Sequence, residues 1–118
     1  MKTIAYARVS TDQQNTDSQT SEILNKYPEI ELYIDQGVSG TVPATERPEL
    51  SVLLKHGLRK GDTLVVWWID RLGRDYHDVE NVIRELLQRG VTIKTINQDM
   101  TFAYTGNEMQ DMTTNIQI

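Results

Sequence analysis

Apolar positions along this chain fall into short unbroken runs that alternate with stretches of helical period. In the first run, residues 4–9, Ile4, Ala5, Ala7 and Val9 give the pattern of a strand buried on both faces, with Tyr6 and Arg8 alternating onto one side. Residues 11–27 open on Thr-Asp-Gln-Gln, a capping box, and predict a helix with Ile23, Leu24 and Tyr27 inward and Pro28 as its stop. Residues 31–35 read as a second short strand closed by Gly37. The Gly, Ser, Thr and Pro of 37–46 predict a mobile surface loop with no regular structure. Pro48 then suits the first position of a helix whose Leu50, Leu53, Leu54 and Leu58 share one face and which Gly61 stops. Residues 63–69, Thr-Leu-Val-Val-Trp-Trp-Ile, are the most hydrophobic stretch and predict a central strand. Val79, Val82, Ile83, Leu86 and Leu87 keep the helical period, with Asp75 and Asp78 to cap the start and Gly90 to end it. Residues 91–96 predict a fourth strand. From Thr105 a further helix begins, striped by Met109, Met112 and Ile116.

Four rounds of strand and helix predict an α/β fold: a mainly parallel, doubly covered sheet of about four to five strands with right-handed crossovers. A flavodoxin-like order sets strands one and three side by side, and ligands of such sheets lie beyond the carboxyl ends of the strands at that point. Ser10 falls just past the first strand; Asp70, Arg71 and Arg74 fall just past the third.

Composition narrows the chemistry. The 118 residues fit one small domain, and the absence of cysteine excludes disulfides, thiolate metal sites and a cysteine nucleophile. No signal-peptide pattern and no membrane-length apolar run occur, so a soluble, cytoplasmic protein with no membrane partner is expected. A net charge of −5 argues against nucleic-acid binding over the whole surface and leaves room only for a concentrated basic site.

Arginines supply such a site. Arg8 interrupts a core-like run, which calls for a structural carboxylate or a bound anion. Arg8, Arg71 and Arg74, joined by Arg47 from its loop, present planar, permanently charged donors that match phosphate oxygens. In the plainer alternative Arg71 and Arg74 pair with Asp70, Asp75 or Asp78 at the surface, and Ser10, which with Gln13 fits a capping box, only caps a helix. A serine facing several guanidinium groups points instead to attack on a phosphoryl group, with arginines favouring the alkoxide. His56 and His77 have no companions at metal-ligand spacing and read as surface residues; Tyr6 reads as core with a bonded hydroxyl. Trp67 and Trp68 point to opposite faces of their strand, one as core and one under a helix, and neither is assigned to base stacking. No Gly-x-Gly-x-x-Gly or Walker-type loop follows the first strand.

Residues 6–11, Tyr-Ala-Arg-Val-Ser-Thr, with Gln14, Asp35 with Gly37-Val38-Ser39-Gly40, Arg47-Pro48, Gly61-Asp62 and residues 70–75, Asp-Arg-Leu-Gly-Arg-Asp, together resemble the signature of the serine recombinases. That group includes transposon resolvases and DNA invertases, and the resemblance covers their N-terminal catalytic domain. It implies that Ser10 attacks a DNA phosphodiester, leaving a 5′-phosphoserine link and a free 3′-hydroxyl, and that an exchanged strand reverses the step. It implies that Arg8, Arg71 and Arg47 bind the scissile phosphate, that Arg74 supports them, and that Asp70 transfers a proton or orients the arginines. Tyr6, Gln14, Gln19 and Asp35 match positions lining the site. No metal or nucleotide cofactor is expected, because the covalent link conserves the energy of the broken bond.

The same resemblance divides the chain into a catalytic domain, 1–105, and the start of a long dimerisation helix, 106–118. The DNA-binding module of the family is expected beyond it, so residues 1–118 alone should bind DNA feebly and recombine little. The parent is expected to act on DNA as a homodimer assembling to a tetramer, in mobile-element recombination or integration, associated with the nucleoid. Two rival readings are a non-catalytic phosphate-binding α/β domain and an assembly domain that uses the Met109, Met112 and Ile116 stripe as a partner surface.

Overall fold

The computed structural model describes residues 1–9, 13–97 and 99–103, with residues 13–18 through their backbone only. Ser10, the Gln14 side chain and the whole stretch 104–118, with its Met109, Met112 and Ile116 stripe, lie outside the described residues.

In chain order the elements are β1 (Thr3–Val9), α1 (Gln13–Lys26), β2 (Glu31–Gln36), a 3-10 turn (Ala44–Glu46), α2 (Pro48–Val52) running into a π turn (Leu53–Gly57), β3 (Thr63–Val66), a second 3-10 turn (Ile69–Leu72), α3 (Tyr76–Gln88), β4 (Thr92–Thr95) and β5 (Thr101–Phe102). The sheet runs β2-β1-β3-β4-β5, parallel except for the antiparallel last pair. This is the expected α/β sheet, with strands one and three adjacent. Ile4 and Tyr6 of β1 and Leu64 and Val66 of β3 face the larger core against α2 and α3; Ala5 and Val65 face the other way, onto Ile23 of α1. The alternation of β1 thus feeds both layers, and its residues from Ile4 to Ala7 are almost wholly enclosed.

Several boundaries differ from the sequence expectation. β3 ends at Val66 rather than at residue 69: the Trp67 carbonyl still accepts from Asn97 N (2.9 Å), but the backbone then curls into the turn at Ile69–Leu72. Neither tryptophan is core; both are half-buried. The second helix widens into a π turn and ends at Gly57, short of Gly61. Leu58 is extended (φ −123°, ψ 131°), yet Leu50, Leu53, Leu54 and Leu58 are all buried as the spacing predicts. Leu24, expected inward on α1, is 40 % exposed, because that helix meets the sheet along a narrow stripe centred on Ile23. The loop 37–46 has structure of its own, the 3-10 turn with Ala44 fully buried.

α3 starts and stops where its residues direct. Asp75 caps it by accepting from Asp78 N (2.9 Å). Its last turn closes with Gly90 N donating to Leu87 O (3.0 Å) and Val91 N to Leu86 O (2.9 Å).

Candidate active site

At the carboxyl end of β1, Arg8 lies beside Asp35 of β2 in the strand register, but the two side chains do different work. Asp35 is buried and accepts three bonds: from the Tyr6 hydroxyl (2.8 Å), Glu49 N (2.8 Å) and Leu50 N (3.1 Å). The last two are among the free amides at the start of α2, so Asp35 caps that helix from a neighbouring strand, favoured by the helix dipole. Tyr6 is fully buried and its hydroxyl is held protonated far above its usual range, by burial first, against the opposing pull of Arg47 and with the Asp35 carboxylate adding to the rise.

Arg8 reaches the other way. One terminal nitrogen donates to Val38 O (2.9 Å), while its Nε is buried with no hydrogen-bond partner among the described residues. The loop passes so close that a Cβ on Gly40 would stand 3.3 Å from Arg8 Nη2. The guanidinium has its pKa lowered, by burial first and then by the charges of Arg47 and Arg71. Three arginines thus crowd together, and no carboxylate pairs with Arg8 or Arg47 among the described residues. A buried donor without an acceptor, beside two further guanidinium groups, is what an anion relieves.

Arg47 is wholly enclosed, and its guanidinium is spent on backbone carbonyls: Nε to Val42 O (2.9 Å), Nη1 to Arg71 O (2.7 Å) and Nη2 to Gly40 O (3.4 Å). Arg71 sits between three side chains. Its Nε donates to Gln19 Oε1 (3.3 Å), its Nη1 reaches exposed Asp70 (3.4 Å), and its guanidinium carbon lies 5.5 Å from the centre of the Trp67 ring. Gln19, buried in α1, also donates to Arg8 O (3.4 Å), so one amide bridges the two strand ends. The Trp67 indole N–H in turn donates to Glu22. Trp67 escaped the sequence reading because its alternation in a strand says nothing about a guanidinium four residues later in a turn.

The structure thus groups Arg8, Arg47, Arg71, Gln19, Tyr6 and Asp35, with Asp70 at the rim. The exposed side chain of Arg74 pairs with Asp75 (3.6 Å). His56 and His77 are exposed, and no cluster of three or more metal-ligating residues occurs among the described residues.

The chain is similar to known proteins over most of its length. The family model described as "Resolvase, N terminal domain" matches residues 3–117. The chain is 40 % identical over 97 residues to the serine recombinase gin of Escherichia phage Mu (82 % of this chain, 48 % of that protein). It is 39 % identical over 98 residues to the transposon Tn552 resolvase of Staphylococcus aureus (83 % and 47 %), and 37 % identical over 100 residues to the DNA-invertase hin of Salmonella typhimurium (85 % and 50 %). The chain therefore spans about half the length of these curated relatives. Among solved structures it is similar to the C-terminal catalytic domain of IS1535 TnpA, an IS607-like serine recombinase, with a TM-score of 0.58 at 26 % identity, covering 80 % of this chain and 70 % of that one. A match running from the first strand almost to the last residue, on a sheet of the same kind, leaves one conclusion: the chain belongs to the resolvase N-terminal domain family.

Proposed function

We propose that this chain cuts and rejoins DNA within a site-specific recombinase, with Ser10 as the nucleophile. The Ser10 hydroxyl gives up its proton as its oxygen attacks the scissile phosphorus, the bond from phosphorus to the 3′ oxygen breaks, and the leaving 3′ oxygen takes up a proton, so no net proton is gained. The products are a 5′-phosphoserine link and a 3′-hydroxyl, and attack by the 3′-hydroxyl of an exchanged strand restores DNA and serine. The observation that carries this reading is the crowd of Arg8, Arg47 and Arg71 at the carboxyl end of β1, with Arg8 Nε buried and unpartnered. Ser10 follows the last residue of that strand.

The arginines suit a reaction in which charge builds on non-bridging oxygens, and Gln19 and Trp67 hold Arg71 ready for it. Arg47 keeps guanidinium N–H groups beyond its three carbonyl bonds, but it is wholly enclosed, so it meets a phosphate only where the 40–42 loop opens toward DNA. Asp70 takes the proton-transfer or orienting role from the rim, Gln14 joins the lining, and Arg74 supports the other arginines from its exposed position beside Asp75. The catalytic part is 1–105, residues 106–118 begin a dimerisation helix, and the working form is a homodimer that pairs into a tetramer on DNA, in the nucleoid.

The test is to trap the covalent adduct between the full-length protein and DNA carrying its own recombination site, with Ser10→Ala in parallel. A 5′-linked adduct lost in Ser10→Ala is the expected result. A Ser10→Ala protein that still forms the adduct overturns the role of Ser10, and DNA binding with no adduct from either protein reduces the site to phosphate recognition.

A further inference from the structure

We propose that Asp78 is a positioning residue of the arginine site, fastening the loop that carries Arg47 to the turn that carries Arg71 and so setting the spacing of their guanidinium groups. This rests on the reading of the site as one that binds a phosphate.

One carboxylate oxygen, Asp78 Oδ2, accepts from Ala44 N (2.9 Å) and from Arg74 N (2.9 Å). These donors belong to two segments that no strand pairing joins. The first leads through the 3-10 turn to Arg47; the second lies just past the turn Ile69–Leu72 that carries Arg71, with Gly73 between. A second fastening, Arg47 Nη1 to Arg71 O (2.7 Å), ties the same two segments on the arginine side. Two ties define a spacing where one leaves a hinge. Charge-assisted bonds to a carboxylate are the stronger kind.

Asp78 is itself held in place. Its backbone N–H is capped by Asp75, and it sits in the first turn of α3. The turn is shaped to receive it: a Cβ on Gly73 would stand 2.9 Å from Asp78 Oδ2 and 2.7 Å from Val79 N, so only glycine lets the 71–74 backbone close down on the carboxylate. Asp78 also spends its charge on backbone amides. No ion pair joins it to an arginine among the described residues.

The chain, Asp78→Ala and Asp78→Asn are titrated with inorganic phosphate while arginine Nε–H signals are followed by NMR, with melting curves alongside. Asp78→Ala should stay folded, bind phosphate about tenfold more weakly, the worth of one such bond, and release Arg47 Nε–H to solvent exchange. Asp78→Asn, whose amide oxygen accepts both bonds, should recover most of the affinity. Phosphate bound by Asp78→Ala as tightly as by the parent, or as weakly by Asp78→Asn as by Asp78→Ala, overturns the proposal. Should Asp78→Ala unfold, the unsubstituted chain decides: the Ala44 and Arg74 amide protons must titrate with the same midpoint as the Asp78 carboxyl carbon, and different midpoints overturn it. No phosphate binding by the unsubstituted chain condemns the phosphate reading instead, and Arg47 Nε–H protection, parent against Asp78→Ala, then decides the role of Asp78 alone.

Discussion

Arg8 is held in a place that works against its own charge. Burial and the neighbouring charges of Arg47 and Arg71 lower its pKa, so the folded chain without an anion disfavours its charged form. Replacing it therefore separates stability from activity. Arg8→Ala is expected to melt no lower than the parent, while DNA cleavage by the full-length protein falls by about 10² to 10³, the usual cost of one lost donor to developing charge. Arg71→Ala should lose as much. Lysine restores neither, because an ammonium lacks the planar fork. Tyr6 and Asp35 behave in the opposite way. Tyr6→Phe removes one bond to a buried carboxylate and costs about 1.5–3 kcal/mol in urea unfolding. Asp35→Ala costs more, since it also strips two amides of α2 and orphans a buried hydroxyl.

Among the elements, the turn before β3 offers the clearest titration. Asp62 accepts from Lys2 N (2.9 Å) and Arg59 N (2.9 Å), fixing the amino end of β1 beside that of β3. Its burial raises the pKa, but these two bonds outweigh it and leave the carboxyl below its ordinary 3.8. A depressed folded pKa adds stability that is complete above the unfolded value and drains as pH falls below it. Asp62→Asn should therefore flatten the acid limb of a stability curve below about pH 4, a loss of slope that melting against pH reads directly. Element order was legible in the sequence because period and punctuation act locally: Val79, Val82, Ile83, Leu86 and Leu87 are buried as spaced. The leucine spacing after Pro48 named the buried residues but not the backbone, which reaches Leu58 through a π turn. Arg8 and Arg71 were visible as strand-tip arginines. The carbonyls that hold Arg47 were not, because a backbone acceptor has no letter in the sequence, and the bonds from Asp78 Oδ2 to Ala44 N and Arg74 N depend on a loop fold that no local pattern encodes.

Over the whole molecule, an acidic chain with net charge −5 concentrates cations where β1 and β3 end. Anything that binds this cluster in the folded state alone raises the melting temperature by mass action. Inorganic phosphate should raise it more than sodium chloride of equal ionic strength, and Arg8→Ala should erase the difference; equal effects of the two salts would count against an anion site. The strand order carries a further consequence, for how the chain comes off the ribosome. β1 is synthesised before the other strands, yet its Thr3 to Tyr6 edge pairs with Thr63 to Val66 of β3. Its β2 neighbour arrives early, but the opposite edge of a strongly apolar strand stays bare until the chain has grown through β3. Closing so long a loop is slow compared with forming a helix. Throughout that interval nascent chains on neighbouring ribosomes offer one another the same unpaired edge, and the speed of translation between Gln36 and Thr63 sets how long the hazard lasts.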